Sequence, residues 1–111
     1  MKVLTWYVPT PISVDTNQRE TYRLDGDYLP VRAWVHLREA PTGTGKLVVD
    51  INVDGVSAFS VQPTLLRHDT DTEETAFSGV QFSKDALITL DIDELPDGEK
   101  GKDMTVGLEL E

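Results

Sequence analysis

A chain of 111 residues that is 39% hydrophobic is long enough for one domain with one core, and a domain of this size buries roughly two-thirds of the surface its unfolded chain exposes. A formal net charge of −10 excludes the ordinary nucleic-acid binders, because Lys2, Arg19, Arg23, Arg32 and Arg38 form no basic cluster to hold phosphates. With no cysteine, disulfides, thiolate catalysis and cysteine-based zinc sites are excluded as well.

The opening Met-Lys-Val-Leu-Thr-Trp-Tyr-Val-Pro lacks the apolar stretch and small-residue cleavage site of a secretory signal, so the mature chain is expected to begin at or near Met1. No apolar run of about 18 residues is present to span a bilayer as a helix. The acidity is expected to serve solubility, with docking to a basic surface as the alternative.

Residues 3–8 are apolar and β-prone, and Pro9 and Pro11 close them into an extended connector. Residues 13–18 are polar and carry no period. Residues 1–18 therefore read as an N-terminal arm holding one strand, outside the central core, and residues 19–111 as the folded domain. Residues 20–24 form a short strand ended by Asp25-Gly26-Asp27. After Pro30, Val31, Ala33, Val35 and Leu37 alternate with Arg32, Trp34, His36 and Arg38, the pattern of a half-buried strand.

A turn over 40–45 leads into Leu47, Val49, Ile51 and Val53, which alternate with Val48, Asp50, Asn52 and Asp54. Asp54-Gly55 suits the positive φ angles of a type I′ hairpin, and a return strand follows over 56–61 until Pro63. Residues 65–75 are predicted as an exposed loop rather than a short helix, because Thr-Asp-Thr is a poor helix former. Residues 76–82 read as a strand. Ile88, Leu90 and Ile92 point inward from the next strand, and Met104, Val106, Leu108 and Leu110 from the last, across a glycine-punctuated loop. About eight short strands without helical periodicity predict an all-β antiparallel sandwich of jelly-roll-like type with an extended N-terminal arm.

Residues 40–46, Ala-Pro-Thr-Gly-Thr-Gly-Lys, imitate a phosphate-binding loop. That chemistry needs a glycine where Ala40 stands, a Ser or Thr where Leu47 stands, and a following helix. The segment is read instead as a turn in which Pro41 presets φ and Gly43 or Gly45 takes a positive one. Asp91, Asp93, Glu94, Asp97, Glu99 and Asp103 raise a calcium reading, with Asp97-Gly98 bending toward Asp91 and Asp93. No Asp-x-Asp-x-Asp-Gly loop accompanies them, so no metal site is assigned. His36 and His68 have no zinc-ligand spacing and build no Ser-His-Asp arrangement. No catalytic residue and no cofactor is assigned, and the chain is read as non-enzymatic. The outward stripe Arg32, Trp34, His36 and Arg38 is the candidate ligand or partner face, since exposed Trp and Arg are enriched at interfaces.

From residue 31 onward, the run of Val35 and Ala40-Pro41-Thr42-Gly43, then 47–52, 54–59 and 87–93, and finally 101–108, resembles small β-sandwich domains of tailed-bacteriophage virion proteins: head-decoration, head-fibre and tail-appendage proteins. The resemblance covers about three-quarters of the chain. It implies a non-enzymatic jelly-roll module on the virion, often a homotrimer, with neither nucleic acid nor membrane as partner. A short acidic sandwich with an arm fits a capsid decoration (cement) protein on the outer surface of the major capsid protein. Trp6, Tyr7, Pro9 and Ile12 of the arm are then the expected capsid or subunit contacts. The alternative is a tail or fibre-tip module that binds a receptor or carbohydrate through the Trp34 stripe.

Overall fold

The computed structural model describes the fold of residues 1–111 and the side chains of residues 1–14 and 20–111. Nine strands run in chain order: β1 (Lys2–Val8), β2 (Asp15–Arg23), β3 (Pro30–Glu39), β4 (Lys46–Val53), β5 (Val56–Ser57), β6 (Thr64–Leu66), β7 (Asp71–Glu74), β8 (Leu87–Glu94) and β9 (Lys102–Leu110). One sheet has the order β1-β9-β3-β7, and the other β2-β8-β4-β5, with β6 also on β4. The antiparallel pairings nest: β1 with β9, β2 with β8, β3 with β7 and β4 with β6. This is one long hairpin rolled up so that its nested strand pairs fall alternately in the two sheets, with β4, β5 and β6 together at its closed end, the topology of a jelly roll.

Period-two alternation builds the core between the sheets. Ala33, Val35 and Leu37 of β3 and Met104, Val106, Leu108 and Leu110 of β9 face Leu47, Val49, Ile51 and Val53 of β4 and Ile88, Leu90 and Ile92 of β8, all of them buried. Asp54 (φ 50°) and Gly55 (φ 82°) join β4 to β5 with the two positive angles of a type I′ turn. Asp54 also accepts the Leu87 N–H at 2.9 Å, which ties the hairpin tip to the start of β8.

The phosphate-loop look-alike is a packed turn. Its backbone N–H groups at Thr42 and Gly43 donate to the Glu99 carbonyl at 3.2 and 3.0 Å, and Asp97 N–H donates to the Thr44 carbonyl at 2.8 Å. A Cβ on Gly43 would lie 1.5 Å from the Asp97 carbonyl oxygen. Glycine is required there by close approach of the 96–99 loop, not by a ligand.

Several expectations are corrected. Residues 2–8 are not an arm: β1 pairs with β9 along its whole length, from Lys2 opposite Leu110 to Val8 opposite Met104. Leu4, Trp6 and Val8 enter the core. Trp6 is fully buried (0% exposed), donates Nε1–H to the Glu20 carbonyl at 2.7 Å and meets Tyr22 edge-on at 5.3 Å. The division after residue 18 falls inside β2, and the side chains of 15–19 lie outside the described residues.

The loop expected over 65–75 contains most of β6 and all of β7. The strand expected over 76–82 is reduced to two isolated bridges, Phe59 to Phe77 and Tyr28 to Phe82. The return strand over 56–61 ends at Ser57, where the Ser57 hydroxyl turns to Asp50 and accepts the Phe59 N–H. Val31 is 37% exposed because a bulge between Pro30 and Arg32 breaks the alternation.

Candidate interaction face

The outer face of the β1-β9-β3-β7 sheet collects the exposed members of both predicted sets. Strand register places Thr5, Gly107, Trp34 and Glu73 in one row across the four strands, and Tyr7, Thr105, His36 and Asp71 in the next. Tyr7 is 54% exposed and shares this face with Arg32, Trp34, His36 and Arg38. Pro9 follows β1 and lines a depression with Thr5, Tyr7, Glu20 and Tyr22, across which the Tyr22 hydroxyl donates to the Thr5 carbonyl. Trp6 and Ile12 point the other way. Ile12 is 4% exposed, so neither presents a contact surface.

Arg32, His36 and Arg38 of the β3 stripe each meet an acid on a neighbouring strand. Arg32 donates through Nε to Glu109 and through Nη1 to Glu73 at 3.0 Å. His36 Nδ1 lies 2.7 Å from Asp71 Oδ1, while the Thr70 hydroxyl donates to Asp71 Oδ2 at 2.8 Å. These contacts hold the Asp71 carboxyl below its ordinary value, the His36 contact contributing most. Arg38 donates to Asp103 at 2.6 Å and to Glu39 at 3.1 Å. The Arg38 hydrogen bond, helped by Thr10, holds Asp103 low. The Thr10 N–H and hydroxyl both reach Asp103 Oδ1 at 3.2 Å, so this carboxylate also fastens the chain leaving β1.

Trp34 lies between these ion pairs and presses on Gly107 of β9: a Cβ at Gly107 would stand 2.1 Å from the indole Cε2. The indole covers neither the second sheet nor the underside of an arm. Five carboxylates (Glu39, Asp71, Glu73, Asp103, Glu109) stand on or beside the face against three cations, Arg32, Arg38 and Lys102. With its neighbours in place, the stripe sits among more acids than bases.

The other sheet carries a second group of acids. Oxygens of Asp50, Asp91 and Asp93 lie within 4.8 Å of one another. Each takes a neutral donor: Ser57 Oγ to Asp50 at 2.6 Å, Asn52 Nδ2 to Asp91 at 2.6 Å, and Gln62 Nε2 to Asp93 at 2.9 Å. Burial pushes the Asp50 carboxyl above its ordinary value. Asp97 and Glu99 do not join this group, because their loop packs on the 40–45 turn, and Asp103 is bound to Arg38. Asp50 escaped sequence reasoning; its one signal was its place in a strand flanked by apolar residues on both sides. His68 is exposed, with its backbone N–H on the Pro41 carbonyl at 2.8 Å.

No protein-family model matches the chain, and a search of curated proteins finds no match.

Proposed function

We propose that this protein is a non-enzymatic structural component of a bacteriophage virion. In this reading it is a capsid decoration protein that docks on the outer surface of the major capsid protein through the outer face of the β1-β9-β3-β7 sheet, as a homo-oligomer and most simply a trimer. One observation carries the reading: exposed Tyr7, exposed His36 and Arg38, and half-buried Arg32 and Trp34 fall on a single sheet face. Jelly-roll topology, which recurs in viral capsid proteins and lectins, is in keeping with it, as are the resemblance of residues 31–108 and the ion-pairing of this face.

The test is co-sedimentation of purified protein with undecorated capsids, together with its location in intact particles separated into heads and tails. Binding to heads that is lost in Tyr7→Glu and Trp34→Ala, with circular dichroism unchanged, is the expected result. Recovery only in tails, or capsid binding indifferent to both substitutions, would overturn it. Deleting residues 1–18 is not an informative test, because it removes β1 and with it Leu4, Trp6 and Val8 from the core.

A further inference from the structure

On the outer face a shallow depression lined by Trp34, Val35, Asp71, Thr72 and Glu73 lies where β3 meets the edge strand β7. Its aromatic element is preset, because contact with Gly107 fixes the indole against the sheet and little rotamer freedom is left to lose on binding. Its acceptors are only partly used. Among the described residues Glu73 engages Arg32 through Oε2, so that its second oxygen can take an incoming donor, and Asp71 is met by an imidazole and a hydroxyl. The surrounding excess of carboxylates, on a chain of net charge −10, makes the depression attractive to cations and repellent to anions.

A flat, weakly hydrated cation with several donors suits all three features. We propose that this depression receives the guanidinium of an arginine carried by the partner protein, stacked on Trp34 and hydrogen-bonded to Glu73 and Asp71. Arginine is favoured over lysine because its planar fork stacks on an indole and reaches a carboxylate with two parallel N–H groups, whereas an ammonium is a strongly hydrated point charge. The proposal deepens the docking reading by naming what the partner presents, and it rests on that reading only for the arginine's being on a partner protein.

The test uses the isolated full chain and a small probe, so its failure is separable from failure to bind capsids. The chain has 2 tryptophans, one of them with its indole N–H sealed on the Glu20 carbonyl, so the two indole resonances in an ¹⁵N correlation spectrum separate the half-buried outer site from the core. Titration with N-acetyl-arginine amide should move the Trp34 indole resonance saturably, with a Kd of about 10 mM, and leave that of Trp6 in place. N-acetyl-lysine amide should bind more weakly, methyl glucoside should not bind, and 0.5 M salt should weaken the arginine shift. Glu73→Gln should weaken it about fivefold while leaving the core resonances unmoved. A stationary Trp34 resonance at roughly 100 mM arginine amide would overturn the proposal. So would a response to glucoside without one to arginine, which would make this a sugar site, or a titration unchanged in Glu73→Gln.

Discussion

The two outer faces of the sandwich solve the same problem in different ways. Both carry acids at outward positions of alternating strands. On the β1-β9-β3-β7 sheet the acids are answered by arginine and histidine side chains from the next strand, and those pairs stay open to solvent. On the other sheet, among the described residues, Asp50, Asp91 and Asp93 accept from Ser57 of β5, Asn52 of β4 and Gln62 of the segment that follows β5, all neutral. Charge-paired acids can exchange partners with an arriving molecule; acids bound to neutral donors and partly buried are committed to the fold. The proposed docking therefore falls on the first face, although the second has the tighter cluster of carboxylates.

The comparison is broken most forcefully at Gly107. Gly107→Ala places a methyl in the indole of Trp34 and should cost about 2 kcal/mol in urea denaturation, whereas Thr89→Ala, on the outer face of the other sheet, should cost little; equal effects would show that the indole is not fixed. Glu109→Ala comes next. Its carboxylate is the least exposed member of the Arg32 network, and its loss should cost about 1–2 kcal/mol, an effect that shrinks in high salt.

Asp50→Asn should act in the opposite direction and raise Tm at pH 7 by a few degrees, because it removes a buried charge facing two others while keeping an acceptor for Ser57. The sign follows from linkage. Asp50 is held above its ordinary 3.8, so it is a liability at neutral pH that is relieved as pH falls through its raised value, and the advantage of Asn should narrow toward pH 4. Asp71 and Asp103 are held below 3.8. They contribute stability above that value and lose it as pH falls through their lowered ones, so Asp103→Asn should lower Tm at pH 7 and converge with the native chain in acid. The smallest effect is expected for Arg38→Ala. Its pair is solvent-exposed and exposed pairs contribute little, so a Tm scan should detect the change only at low salt.

The strands legible in the sequence are those with one apolar and one polar face. Ala33, Val35 and Leu37, or Ile88, Leu90 and Ile92, announce their burial by alternation alone, and Asp54-Gly55 announces its turn. β1 is legible as a strand but not as a core strand, because Val3 and Tyr7 on its outer side are as apolar as Leu4, Trp6 and Val8 on its inner side, which hides the period. β7 was invisible for a different reason: Asp71–Glu74 has no apolar face at all and is held by backbone pairing to β3 and by Arg32 and His36, more than thirty residues away. The same limit applied to the candidate face. Its outward stripe could be read from β3, but the acids opposite it depend on register between strands, which local pattern does not carry.

The nesting of strand pairs sets the order in which a growing chain can become this fold. β9, the last of the nine strands in chain order, lies between β1 and β3 in the interior of its sheet. Until it leaves the ribosome, β1 has no ladder, and Leu4, Trp6 and Val8 have no partner for their strand. Chains cut short before β9 should therefore lose an interior strand and fail as a whole, and a nascent chain should stay open to chaperones and proteases until β9 has been made.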